Sequence, residues 1–296
     1  MPSSAQALLG GIVDYAGTFP PAGLALADAL AEYARARASA DAWLLGRLIV
    51  PASSLHDFDR IAPPLVARDE RLPWEVSVIL NSVDAQQFEH IASFDERWKG
   101  GVRIAALEFG RVPNLQMETL AGLMPKNVDV FFETPSEGDI VAVLRAIKAA
   151  GASAKIRTGG VTADAIPAPA AIVRFADCAR DADISFKATA GLHHALRGCY
   201  PLTDEPGSQQ ETMHGFLNLA VAAAVVWIGE SQETALHALT ETSSDAFEFR
   251  ADGLHWRGRT IDNDDLVASR RQLFRSFGSC AFQEPADELR RLHIDA

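Results

Sequence analysis

The chain has 296 residues, 48% of them hydrophobic and 22% charged, and a formal net charge of −12. This composition supplies a full core and excludes wholesale disorder, and the acidic balance speaks against a nucleic-acid backbone or an anionic membrane as partner. Cys178, Cys199 and Cys280 form no CxxC pair, which points to a reducing cytoplasm and away from a disulfide framework or structural zinc site.

In chain order, Met1–Ala7 lacks the basic start of a secretory leader. A first strand at Ile12–Ala16 ends in Asp14-Tyr15 and a Pro20-Pro21 turn, and an amphipathic helix follows at Ala25–Ser39. Further strands are predicted at Arg47–Pro51, Glu75–Asn81, Val102–Phe109, Val128–Thr134, Ala154–Thr158 and Ile184–Thr189. Helical patterns at Asp84–Trp98, Leu115–Met124 and Gly138–Ala150 separate several of them, with glycine stops at Gly100-Gly101 and Gly151. A beat of roughly 25 to 30 residues is what βα units require. With an eighth strand near Met213–Leu219, it predicts a (β/α)8 TIM-like barrel. An open doubly wound sheet is the rival, but no GxGxxG follows the first strand. The longest apolar run, Leu219–Ile228, has about half the length needed to span a bilayer.

Residues 242–296 depart from the beat. Ala246–Arg250 and Leu254–Arg257 around Asp252-Gly253 read as a β-hairpin, followed by helices at Asp264–Phe277 and Ala286–Leu292. The expected organisation is one barrel domain over 1–296, with 242–296 as a C-terminal β-hairpin/helix appendage packed on it, a candidate homo-oligomer contact.

Alternate residues of a barrel strand point inward, and active sites lie at the C-terminal strand ends. Counting back from each tip gives Asp14, Pro51, Asn81, Glu108, Glu133, Lys155 with Arg157, and Lys187 with Thr189. Nearly every strand thus ends in a polar or ionisable group. Only five of the 27 basic residues are lysines, and two of those five lie on these tips. A neutral lysine attacks carbonyls where an arginine does not, and burial or a neighbouring cation favours the neutral form. Lys187 is the expected nucleophile and Lys155 the tuning cation, with Glu108, Glu133 and Asp14 as proton carriers. The bland alternative is Lys187 in a structural ion pair with Glu108 or Glu133. Arg157 with Thr158-Gly159-Gly160 reads as an anion-binding corner. Asn81, Thr189, His193 and His194 complete the expected substrate-binding set, while Tyr15 is either substrate-orienting or loop packing.

The segment Phe186-Lys187-Ala188-Thr189-Ala190-Gly191 resembles the lysine-bearing strand of class I aldolases of the deoxyribose-phosphate aldolase type. The resemblance covers about ten residues. It implies lyase chemistry through a Schiff base on a small, anionic carbonyl metabolite without a cofactor, and a second lysine, Lys155, on a neighbouring strand. The order of the lysine strands differs from that family, and no phosphate-gripping pair of glycine turns follows the last strands. A second chemistry is a divalent-metal lyase or hydrolase using Asp14, Glu108, Glu133 and His214, loosely similar to hydroxymethylglutaryl-lyase-type metallolyases, although His-x-His is absent and only His214 precedes Asn218. A third is a barrel that binds a metabolite or protein without catalysis.

Overall fold

The computed structural model describes residues 3–66, 72–80, 85–121, 123, 127–203 and 205–294. A capping box on Ser3 and Gln6 starts α1 (Ser4–Leu9), which leads into the short β1 (Val13–Tyr15). Then α2 (Leu26–Arg37), β2 (Leu45–Pro51), α3 (Leu55–Ile61), β3 (Trp74–Leu80), α4 (Ala85–Arg97) and β4 (Val102–Phe109) alternate. The alternation continues through α5 (Asn114–Ala121), β5 (Asp129–Thr134), α6 (Ile140–Ala149), β6 (Ser153–Arg157), α7 (Pro169–Asp181) and β7 (Phe186–Thr189). The local signals are legible: Asp139 caps α6 by accepting from the Ala142 amide, and Pro169 opens α7, where a missing N–H costs nothing.

Past β7 the chain makes a two-stranded ribbon, β8 (Gly198–Pro201) and β9 (Gln210–Met213), then α8 (Phe216–Trp227) and α9 (Gln232–Thr240). An antiparallel sheet of β10 (Phe247–Arg250), β11 (Gly253–Trp256) and β12 (Arg259–Asp262) precedes α10 (Asn263–Gln272), β13 (Phe274–Ser279) and α11 (Gln283–Arg291). Eight parallel strands close in the order β1-β13-β7-β6-β5-β4-β3-β2. The molecule is a (β/α)8 barrel.

The eighth strand is β13 and not Met213–Leu219. Leu217 to Val226 are all buried, because α8 is wedged among its neighbouring helices and the barrel wall. An apolar run of this kind carries no periodicity to tell helix from strand. Asn218, fully buried within it, accepts from the Arg197 amide and donates to the Ala238 and Glu241 carbonyls, tying the start of α8 to the segment after β7 and to the C-terminal end of α9. Residues 242–296 are therefore not one appendage. The hairpin gains a third strand, and the expected helix Asp264–Phe277 stops at Gln272 so that Phe274–Ser279 can complete the wall. Arg270 fixes that reversal. Its buried guanidinium donates to the carbonyls of Phe274, Arg275 and Leu8, and burial pulls its pKa down to about 10. No described helix is long and apolar enough to cross a membrane.

Strand parity sorts the barrel wall into an apolar outside and a charged inside. Aromatic residues that face outward pack in a belt: Phe109 stacks on Phe132, and Phe186 meets Phe175 and Phe274. Inward positions on β4 to β7 carry charge instead. The ribbon β8–β9 lies in the connection after β7, where the adjacent Leu202 lines the mouth, whereas β10–β12 lies between α9 and α10 and packs against α1 and α10.

Candidate active site

At the C-terminal mouth a cavity of about 670 Å³ is lined by Glu108, Glu133, Lys155, Arg157, Thr189 and His193, with Arg111 and Gln116 at its edge. Below it a column of buried charge runs down the barrel axis. The Lys187 ammonium donates to Asp14 Oδ2 at 2.6 Å and to Glu108 Oε1 at 2.6 Å, and lies 5.6 Å from the centre of the Phe131 ring. Lys155 donates to the other oxygen of Glu108 at 3.4 Å. Ser77 donates to Glu108 at 2.7 Å, Ser276 to Asp14 at 2.7 Å, and the Arg47 amide to Asp14 at 2.9 Å. Two cations thus face two anions, and every carboxylate oxygen in the column has a donor.

This geometry argues against Lys187 as the amine that meets substrate. It is 0% exposed and does not line the mouth cavity. Burial alone would lower its pKa, but Asp14 and Glu108 at hydrogen-bond distance outweigh that and push it up. The expectation of a neutral Lys187 fails because the counter-charges come from strands distant in sequence. Glu108 shows the converse: burial would raise its pKa, yet Lys187, Lys155 and Ser77 bring it down to about 2. Lys187 fits the structural ion pair, with Glu108 as one partner and Asp14 in place of Glu133.

Lys155 stands one layer nearer the mouth. It is in register with Lys187 on one side and Glu133 on the other, is 5% exposed, and borders the cavity. Glu133 lies opposite Arg111 at 3.9 Å, and Arg157 is exposed above it. Asp14 is not at the mouth. Barrel stagger pairs Val13 with Leu45, the first residue of β2, so Asp14 sits low and borders a separate cavity with Arg47, Glu75 and Arg275 on the far side. Tyr15 faces outward and donates to Glu32 on α2, so it packs rather than orients substrate.

The anion corner is divided. Gly160 lines the cavity, but Thr158 is buried and donates to the Ala190 carbonyl at 2.7 Å. Gly159 lies against Gly191 so closely that a Cβ on Gly159 would come within 2.7 Å of the Gly191 Cα. Thr158 and Gly159 therefore knit the loops after β6 and β7 together. Thr189 and His193 line the cavity as expected. His194 instead faces Glu288 of α11 at 2.6 Å and stacks on Tyr200, beside the mouth. Asn81 lies outside the described residues.

The alternative metal set does not converge. Asp14 and Glu108 are held by Lys187, and Glu133 faces Arg111. His214 is buried with Nε2 2.8 Å from the Pro167 carbonyl and Nδ1 3.2 Å from Arg197. Burial and Arg197 lower its pKa against that bond to Pro167, so it is a neutral structural histidine. Among the described residues no three His, Cys, Asp or Glu side chains gather as a metal site.

Arg111, Gln116, Ile49, Ile79 and Phe19 also line the mouth, although the sequence alone does not single them out. Ile49 and Ile79 lie two residues before Pro51 and Asn81, so the same parity reaches them. Arg111 stands two residues beyond the tip of β4, where strand parity no longer applies.

Fold and site together define a (β/α)8 barrel with a charged pocket at its C-terminal mouth. No family model matches the sequence, and no curated protein matches it. Among solved structures, nitroalkane oxidase from Streptomyces ansochromogenes is similar at 16% identity with a TM-score of 0.33, over 65% of this chain and 62% of that one. The match thus spans less than two thirds of that protein, and the fold assignment rests on the closed barrel itself. The aldolase resemblance stays confined to the short segment around Lys187.

Proposed function

We propose that this chain is a barrel lyase that cleaves or forms a carbon–carbon bond in a small anionic carbonyl compound through a Schiff base, with Lys155 as the amine. The observation that carries the reading is the position of Lys155 between Glu108 and Glu133 on the wall of the mouth cavity, beside Arg157. Lys187 below it is a positioning residue: anchored on Asp14, it donates to Glu108 and holds Glu108 where Glu108 can hold Lys155.

In the cleavage direction, deprotonated Lys155 attacks the substrate carbonyl carbon. A C–N bond forms, Glu133 delivers a proton to the carbonyl oxygen, and that oxygen leaves as water, giving an iminium and the Glu133 carboxylate. Glu133 takes the proton of the β-hydroxyl, the adjacent C–C bond breaks, and its electron pair moves into the iminium to give an enamine as an aldehyde departs. Protonation of the enamine carbon and addition of water release the second product and return the amine. Arg157 binds the anionic group of the substrate, for which a planar fork of donors is suited.

The test is a screen of 4-hydroxy-2-oxo acids for release of aldehyde, with wild type and Lys155→Arg side by side. Turnover by wild type with loss of at least a thousandfold in the variant supports the reading. Equal turnover in both overturns it.

A further inference from the structure

The mouth cavity is divided in two by strand order. On the arc β13-β1-β2-β3, contiguous around the barrel, the described lining residues include Phe19, Pro20, Ile49, Ile79 and Gly278, and none is charged. On the arc β4-β5-β6-β7 and its loops lie all the charged side chains of the described lining: Glu108, Arg111, Glu133, Lys155 and Arg157. Leu202 and Val161 add apolar atoms to the rim on that side, so the separation concerns charge. Ile79 is in register with Glu108, and Ile49 with Ser77, whose hydroxyl donates to Glu108. The apolar wall therefore stands at the height of the reacting amine and not merely at the entrance.

Size bears on the same point. A volume of about 670 Å³ holds roughly twenty waters at about 30 Å³ each, far more than a three-carbon acid displaces. Cavities of about 300–1,000 Å³ enclose drug-sized ligands. An apolar wall that stays wet contributes no binding energy; covered by substrate, it does.

We infer that the substrate is amphipathic: a carboxylic acid whose carbonyl-bearing chain carries an apolar group the size of a phenyl ring or a butyl chain, seated on the β13–β3 arc while the acid and carbonyl face β4–β7. This rests on the Lys155 reading for the carbonyl but not for the acid or the apolar group. Gly278 has a place in it. A Cβ added there would meet Ile49 Cδ1 at 3.5 Å, an ordinary contact, so the position tolerates a side chain and its bareness leaves room between β13 and β2.

The experiment has two arms on the full chain. Calorimetric titration with carbonyl-free acids (propionate, butyrate, hexanoate, 3-phenylpropionate) measures the apolar wall without any covalent step. Borohydride trapping with pyruvate, 2-oxohexanoate and phenylpyruvate measures the amine. The expected result is an affinity that rises about fourfold per added methylene up to hexanoate, with phenylpropionate at least as tight. Trapping should favour phenylpyruvate over pyruvate. In Ile79→Gln and Gly278→Val the gain with chain length should shrink at least fivefold while short acids bind as before. A flat or falling series in wild type overturns the inference, as does an unchanged gain in both variants. A rising series without any trapping retains the amphipathic site and refutes only the Lys155 reading.

Discussion

Replacing Lys187 with methionine keeps an unbranched side chain one atom shorter and removes its charge. Asp14 and Glu108, 2% and 1% exposed, lose the partner that each holds at 2.6 Å. Glu108 keeps Lys155 and Ser77, but Asp14 retains only a hydroxyl and an amide. Removing one member of a buried ion pair costs about 3–5 kcal/mol, on the order of 10 °C in Tm for a chain of this size. The pH dependence is a sharper readout. In wild type the folded-state pKa of Glu108 is about 2 against a usual 4.5. A depressed carboxylate contributes stability that is present above about pH 4.5 and lost as pH falls toward 2. The gap converts to about 3 kcal/mol at 1.36 kcal/mol per unit. In Lys187→Met, Glu108 loses the cation that lowers its pKa most, so burial pulls that pKa back up, and the penalty of the substitution is absent at low pH and grows as pH rises through it. Urea unfolding of both proteins at pH 4.5 and pH 8 should therefore show a larger penalty at pH 8. A penalty under about 1 kcal/mol at pH 8, or one that does not change with pH, would refute the ion column as drawn.

Three further substitutions probe the same geometry. Arg157→Gln should weaken binding of carboxylate ligands at least tenfold in calorimetry while unfolding stays within about 0.5 kcal/mol of wild type, because Arg157 is exposed. Gly159→Ala should destabilise by about 1–3 kcal/mol in urea titration, since its methyl meets the backbone of Gly191. His214→Ala should lower Tm through loss of its bond to Pro167 and leave zinc and manganese content by elemental analysis unchanged. A divalent ion bound stoichiometrically by wild type and lost in that variant would reinstate the metal reading.

The βα beat and the inward parity of strands make the barrel and most of its mouth legible, because both depend on local periodicity. The last strand is not legible in this way. Its inward positions, Ser276 and Gly278, are small where barrel strands usually carry branched apolar residues, so Phe274–Phe277 reads as the end of a helix. The helix α8, apolar but for Asn218, mimics a strand for the opposite reason, since a segment buried on all sides shows no stripe. Composition and parity alone pick out Lys187 and Lys155, but their roles depend on depth along the axis. That depth is set by the stagger of β1, which brings Asp14 beneath Lys187 across 173 residues of sequence. No spacing rule reports such a contact.

The central claim is that Lys155, not Lys187, is the reacting amine. Borohydride reduction in the presence of phenylpyruvate, followed by proteolysis and mass spectrometry, tests it directly. One adduct is expected, on the peptide containing Lys155, absent from Lys155→Arg and retained in folded Lys187→Met. An adduct on Lys187, or none on either lysine with any 2-oxo acid, would contradict it.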